Sequence, residues 1–413
     1  MGEEKLSSRR AFLKYGSTVA GGMALAGCVG GPDDTQESAE SGETTGSETS
    51  DGTDSTDEST ETEDGNESYS VTMAPMGTVE FDSVPETWIP YKTGYGDMGF
   101  ALDLGDRMAG IDDPEGSVWL LRERFYSQIP GFEVDTEGVT SIRSADDTID
   151  KEVFYEMDAD LHLMDPNLPN VYFDWDEGDV REISENVGPF FGNFIRRARD
   201  DRWGEPYEFY TLYEAFEKVA QVFQRQGRYE AFADLHDEVQ GEIADALPAE
   251  SERPSIGLLN GGSDPSKGEL YVMDPTAKGY EMKQYRDLGI ENAFEGAETG
   301  QYGLVDYETA LEYDPEIIIF HWGVTYEADE FASQFVEPLQ NHEVGKELTA
   351  VQEGNIYPGG TAEQGPIINL FQTEMLAQQQ YPETFGEFPG LGETPDETLF
   401  DRQRVADIVA GEF

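Results

Sequence analysis

Between Gln226 and Pro248 the apolar residues Phe232, Leu235, Val239, Ile243 and Leu247 recur at three- and four-residue steps, making one stripe along a predicted helix. Pro248 and the polar run to Pro254 stop it. The twenty or so residues from Arg228 would span about 30 Å, the width of a small domain. A second amphipathic segment precedes it, from Tyr207 to Gln226, with Tyr210, Tyr213, Phe216 and Val219 or Ala220 on one side. After it, Ser255–Leu259 reads as a buried strand.

On both sides of this divider, helical and strand patterns alternate. Residues 106–111 predict a short strand, 150–160 a helix and 161–164 a strand. Further on, 281–288 and 306–314 predict helices, 317–320 a strand and 367–380 a helix. Alternation of this kind predicts α/β structure, with parallel sheets covered by helices on both faces. The 343 residues from position 71 onward suit two domains better than one. The expected division is a first lobe over 71–226, an inter-lobe helix over 227–248 and a second lobe over 249–413.

The beginning of the chain has no such pattern. Residues 29–70 carry fourteen acidic side chains and no basic one, too little apolar surface to fold. They read as a flexible, self-repelling tether with a reach of about 35 Å. Ahead of it, Arg9 and Arg10 stand in Ser8–Lys14 before a weak apolar run, which reads as a twin-arginine export signal over 1–28. The run is too polar for a membrane span. It ends in Leu25-Ala-Gly-Cys28, which resembles a lipobox and implies lipidation of Cys28. Cys28 is the one cysteine of the 413 residues, so no intramolecular disulfide can form. The expected location is therefore the outer face of the cytoplasmic membrane, held by a lipid.

Charge narrows the possibilities further. Against 26 Lys+Arg stand 87 Asp+Glu, a formal net charge of −61, and residues 71–413 alone carry −49. Such a field excludes nucleic-acid partners, which require a basic patch. Self-repulsion on this scale is relieved where molar salt shortens the Debye length to about 3 Å. The composition reads as that of an extreme halophile of archaeal type, and it makes acidic pairs poor evidence for chemistry.

One internal repeat survives that discount. Asp150, Glu152, Glu156 and Asp158 match Asp306, Glu308, Glu312 and Asp314 at an offset of 156. In both copies an acid-capped helix leads into an apolar strand. The first residue beyond the strand is Asp165 in one copy and His321 in the other.

Pro85–Ile111, with Ala101-Leu-Asp-Leu-Gly-Asp-Arg-Met-Ala-Gly-Ile111, resembles the opening of the ABC-transporter substrate-binding proteins for iron-siderophore complexes, cobalamin and haem. The two repeat copies, Leu348–Tyr357 and Gly365–Pro382 resemble further elements of that family in the same order. The likeness covers roughly 79–410 and departs from the pattern at Asp103, where glycine is usual, and in an insertion-rich stretch at 166–205. It implies two Rossmann-like α/β lobes joined by a single long rigid helix, with the ligand in the cleft between them. It also implies a monomer that hands a metal chelate to an ABC importer, a permease dimer with its ATPase. Glu152 and Glu308 match the positions where the family docks on its permease; alone they are ordinary first-turn carboxylates.

In parallel α/β sheets ligands gather beyond the carboxyl ends of the strands. That rule nominates Tyr91, Tyr95, Asn167, Trp175, Arg196, Arg197, Tyr271, His321 and Trp322 as ligand-binding residues. Aromatic faces suit a bulky chelate, and paired arginines offer forked donors to an anionic one. Neutralisation of Asp200, Asp201 or Glu205 is the plainer role for the arginines, and His321 could serve haem iron or merely a neighbouring acid. No resident cofactor or metal is expected. Neither a nucleophile elbow nor a phosphate-cradling loop is present, which disfavours an extracytoplasmic enzyme. An iron(III)-siderophore is the first expectation for the ligand, with cobalamin, haem and a non-transporting sensor as alternatives.

Overall fold

The computed structural model describes residues 68–114, 116, 123–144 and 148–413. The export segment, Cys28 and the tether up to residue 67 lie outside the described residues. The first strand, β1 (Tyr69–Met73), pairs antiparallel with β2 (Gly77–Phe81), so the lobe begins two residues before the expected boundary at 71.

The first lobe is then built on short parallel strands: β3 (Trp88–Pro90), β4 (Gly110–Ile111), β5 (Thr140–Ser141) and β6 (Leu161–Leu163). β3 pairs with β6 and β4 with β5. Bridges from Trp88 to Met108 and from His162 to Phe190 extend the array, all parallel. Helices α1 (Thr93–Ala101), α2 (Lys151–Met157), α3 (Leu168–Tyr172), α4 (Glu177–Asn186) and α5 (Leu212–Val222) accompany it.

The strand expected over 106–111 shrinks to Gly110–Ile111, because Gly105–Arg107 close a 3-10 turn first. The amphipathic segment from Tyr207 becomes helical only at Leu212. Thr211 caps it reciprocally with Glu214, a Thr-x-x-Glu signal readable in the sequence. Gln224, at φ 52°, ends that helix before the next begins.

The next is α6 (Gln226–Ala246), 21 residues long, which buries Phe232, Leu235, Val239 and Ile243, four of the five stripe residues. It leads into the second lobe, whose strands are β7 (Ser255–Asn260), β8 (Leu270–Tyr271), β9 (Glu291–Asn292), β10 (Leu304–Val305), β11 (Ile317–His321) and β12 (Ile356–Pro358). Four of them form a parallel sheet in the order β12-β11-β7-β9, while β8 and β10 pair antiparallel. Its helices include α7 (Lys283–Asp287), α8 (Tyr307–Tyr313), α9 (Pro366–Gln380) and α10 (Arg402–Ala410).

The repeat is real in three dimensions. α2 and α8 both follow an aspartate in extended conformation, Asp150 and Asp306, and both end on a left-handed aspartate, Asp158 at φ 46° and Asp314 at φ 39°. Asp103, where glycine is usual in the family it resembles, is also left-handed, at φ 60°; short polar side chains tolerate that region.

The core is not divided between the lobes. One apolar cluster runs from Trp88 and Phe100 through Phe232 and Phe371 to Ile256 and Ile319. Every residue of α9 is buried, and α9 packs against both α1 of the first lobe and α7 of the second. α10 returns to pack on α6 and α1. Smaller clusters around Phe154 and Trp175, and around Phe320 and Phe335, fill the outer layers of the first and second lobes.

Candidate ligand-binding site

A cavity of about 610 Å³, counting the part open to solvent, lies where the lobes meet. Its wall is almost wholly first-lobe: Tyr91 and Lys92 just beyond β3, Tyr95 on α1, Leu163–Asp165 at the end of β6, Leu168 and Tyr172 of α3, and Asn193–Arg197. Tyr280 is the second-lobe residue on this wall. These positions follow the carboxyl ends of parallel strands. The stretch 166–205 supplies half of the wall.

Three cations, Lys92, Arg196 and Arg197, face one carboxylate, Asp165, along the wall. Asp165 is already engaged, accepting hydrogen bonds from the Tyr207 hydroxyl at 2.6 Å, Phe194 N at 2.8 Å and Asn167 N at 2.9 Å. Burial raises its pKa in spite of these donors. Tyr95 is likewise fixed: its hydroxyl donates to Asn193 O at 3.0 Å and accepts from Asn193 N at 2.8 Å.

The seam behind the wall is ionic and buried. Both arginines fork onto Glu281 of the second lobe, Arg196 through Nε at 3.2 Å and Arg197 through Nε at 3.0 Å. Burial works to raise the Glu281 carboxyl, but attraction to Arg196 and Arg197 and the His321 contact outweigh it and hold it well below the usual range. Lys92 pairs with Asp112 and stands 3.8 Å from Glu363, whose other oxygen accepts from Thr93 N at 3.0 Å. Burial raises Glu363, with Lys92 opposing. A third carboxylate runs the other way. Asp97 of α1 accepts from the amides of Gly365, Ile367 and Ile368 at the start of α9 and from the Tyr126 hydroxyl at 2.7 Å. Burial nonetheless raises its pKa to about 6.

Backbone closes the same seam, with Tyr280 N donating to Ile195 O at 2.9 Å and Glu281 N to Arg196 O at 3.1 Å. The approach is close enough that a Cβ on Gly279, at φ +113°, would lie 2.2 Å from Arg196 O.

Residues 197–361 match the family model described as periplasmic binding protein. That segment is similar to the periplasmic binding protein family. A periplasmic binding protein from Veillonella parvula superposes with a TM-score of 0.53 at 15% identity, covering 76% of this chain and 97% of that one. The TroA-like periplasmic binding protein FepB from Veillonella parvula gives 0.52 at 13% identity, over 83% and 95%. Helicobacter pylori CeuE, solved with Ni(II) bound, gives 0.50 at 13% identity, over 77% and 90%. No curated protein matches the chain. These likenesses establish the α/β fold of the type III periplasmic binding proteins. Among the described residues no helix is long and apolar enough to cross a membrane.

Within this fold the nine nominated residues divide. Tyr91, Tyr95, Arg196 and Arg197 line the cavity. Asn167, Trp175, Tyr271, His321 and Trp322 do not line it. Asn167 precedes α3, and Trp175 is a core residue whose indole donates to Ile149 O at 2.7 Å. Tyr271 is half-buried in β8, in the second lobe.

His321 is fully buried, with Nδ1 2.9 Å from the Tyr285 hydroxyl and Nε2 3.4 Å from Glu281. Burial lowers its pKa, with Glu281 opposing. Among the described residues no group of three potential ligands is placed to hold a metal ion. Trp322 is buried with its ring 5.6 Å from the Arg196 guanidinium. The arginine pair meets Glu281, not the nearby acids: Asp200 is taken by Arg202.

Sequence reasoning missed Lys92, Asn193, Tyr280, Glu281 and Glu363. Lys92 had a signal, being one of nine lysines and adjacent to Tyr91. The two glutamates had none against 87 acidic residues.

Proposed function

We propose that this protein is a lipid-anchored receptor that captures an anionic iron(III)-siderophore outside the cytoplasmic membrane and delivers it to an ABC importer made of a permease dimer and its ATPase. One observation carries the reading: a chain of net charge −61 concentrates Lys92, Arg196 and Arg197 on one cavity wall beside Tyr91, Tyr95, Tyr172 and Tyr280. Forked guanidinium donors and tyrosine faces suit a bulky chelate with several anionic oxygens. A cobalamin or haem ligand is the alternative within the same role. The chelate is favoured over it because it brings several anionic oxygens to three cations, and His321 is buried behind Glu281 rather than on the wall, where it would have to be to meet a metal-bearing ring.

Glu152 and Glu308, both exposed in the first turns of α2 and α8, are the proposed contacts to the permease. Cys28 carries the proposed lipid, and the acidic surface is the proposed adaptation to molar salt.

Titration of the purified protein in high salt with a ferric tris-catecholate, cobalamin and haemin, followed by tryptophan fluorescence, tests the ligand class. Trp203 reports on the site, because its ring stacks 4.3 Å from that of Phe194 on the cavity wall. Quenching by the ferric chelate alone is the expected result. Failure of all three to quench, or turnover of any of them, would overturn the proposal.

A further inference from the structure

The three cations of the cavity wall share an arrangement that solute binding alone does not require. Each meets a buried carboxylate from the opposite lobe. Glu281, 3% exposed, takes both arginines, and Glu363, 2% exposed, stands against Lys92. Both Glu281 oxygens are used: Oε2 faces each guanidinium Nε, and Oε1 lies 3.3 Å from Arg196 Nη2 and 3.2 Å from Arg197 Nη2. On each arginine the Nε/Nη2 fork is thereby committed to Glu281, so a ligand that takes this fork must displace the carboxylate.

We propose that Glu281 and Glu363 are built-in counter-anions that latch the second lobe onto the cavity wall, so that an anionic chelate enters by displacing them. This rests on the reading of the cavity as an anion site and adds a gate to it. Burying three cations without partners would be costly, and attraction in a dry seam is strong enough to hold two lobes together. The Glu281 side chain has somewhere to go when displaced. His321 Nε2 lies 3.4 Å from Oε1 and makes no hydrogen bond, while the Tyr285 hydroxyl holds Nδ1. The latch also screens ligands by charge, since one with fewer anionic oxygens than the two carboxylates it replaces loses the exchange.

The test needs no knowledge of the ligand for its first half. Spin labels at Glu156→Cys and Glu312→Cys, exposed and equivalent positions on α2 and α8, with Cys28→Ser, report the distance between lobes by pulsed dipolar spectroscopy. In the ligand-free protein, Glu281→Gln and Glu363→Gln should each lengthen and broaden that distance relative to the parent. A ferric tris-catecholate should then bind Glu281→Gln about tenfold more tightly, the scale of relieving one partly screened charge contact.

Unchanged distances in both variants would overturn the latch, and so would weaker binding of the probe, which would make Glu281 a ligand contact instead of a competitor. Longer distances with no probe binding to any variant would uphold the latch and sink the anion-site reading. Should Glu281→Gln fail to fold, Glu363→Gln decides the matter, because the arginines keep their partner in it.

Discussion

In the first lobe the strand of the repeat ends at Leu163, two residues short of Asp165, and in the second it runs on to His321, the residue equivalent to Asp165. Both residues follow a seven-residue helix that starts after an extended aspartate, ends on a left-handed one and leads into a parallel strand, although Asp306 caps its helix through Thr309 N and Asp150 makes no such bond. Asp165 stands on the cavity wall with its oxygens occupied by Tyr207 and two amides, whereas His321 is sealed behind Glu281. The two copies of one structural unit have therefore been put to different uses. The first lobe forms the receptacle, and the second closes it with Tyr280, Glu281 and Glu363. A duplicated fold does not entail a duplicated site.

The sharpest way to break this comparison is to disarm each side in turn. Replacing Arg196 and Arg197 together by alanine should weaken binding of a ferric tris-catecholate about a thousandfold, as loss of two forked charge contacts implies. Tyr271→Ala, in the second lobe and off the wall, should leave it unchanged. Equal losses by fluorescence titration would mean that the lobes share the ligand evenly.

A second test exchanges a core residue between the copies. His162 in β6 occupies the position of Ile318 in β11, packed between Phe154 at 5.1 Å and Phe190 at 4.9 Å between ring centroids. Burial lowers its pKa to about 4, against about 6.5 in an unfolded chain. Between those values the unfolded state binds the extra proton, so stability falls as pH drops from about 6.5 to 4, by about 3 kcal/mol in all. Asp97 has the opposite sign: raised to about 6, it relieves part of its burial cost over a similar window. His162→Ile should remove the first contribution and keep the second, flattening the acid limb of denaturant midpoints measured from pH 7 to 4. An acid limb as steep as the parent's would show that His162 is not its source.

The symmetric part of the molecule can be tested too. Charge reversal at Glu152 or Glu308 alone should lower uptake by about tenfold, on the scale of a lost interfacial charge contact, and both together by more, with ligand affinity unchanged. Uptake that survives the double reversal excludes this pair as the docking contacts.

The smallest effect separates the left-handed aspartates that end the two repeat helices. Asp158→Gly should be neutral or stabilise by up to about 0.5–1 kcal/mol through relief of the backbone conformation. Asp314→Gly should instead destabilise, because Asp314 accepts from Thr349 N and Oγ1, both at 2.8 Å. Opposite signs in thermal unfolding are expected, and equal signs would mean that the caps are interchangeable.

What could be read in advance follows the range of each interaction. α6, α2 and α8 and the strands β6, β7 and β11 depend on apolar periods and caps within a few residues, and they fall within a few residues of where the pattern put them. Tyr91, Tyr95 and the arginine pair were reachable through the strand-end rule. The closing half of the site was not. Arg196 meets Glu281 across 85 positions, and Thr93 meets Glu363 across 270. In so acidic a chain nothing local marks those two glutamates. His321 and Trp322 stand at a strand end as the rule requires, yet the Glu281 segment lies between them and the cavity.

The pinning of Glu281 by its own backbone has a consequence for life in brine. A carboxylate already held in place by the fold loses no translational freedom on pairing, whereas each dissolved chloride must. On the latch reading, small monovalent anions are outcompeted at the arginines before they arrive, and a chelate prevails only by bringing several oxygens already set in place. Exchanging chloride for sulfate at fixed ionic strength should then leave probe affinity unchanged in the parent and alter it in Glu281→Gln. A shift in the parent would show that solvent anions reach the arginines after all. A tethered carboxylate of this kind would make the receptor indifferent to the salt around it.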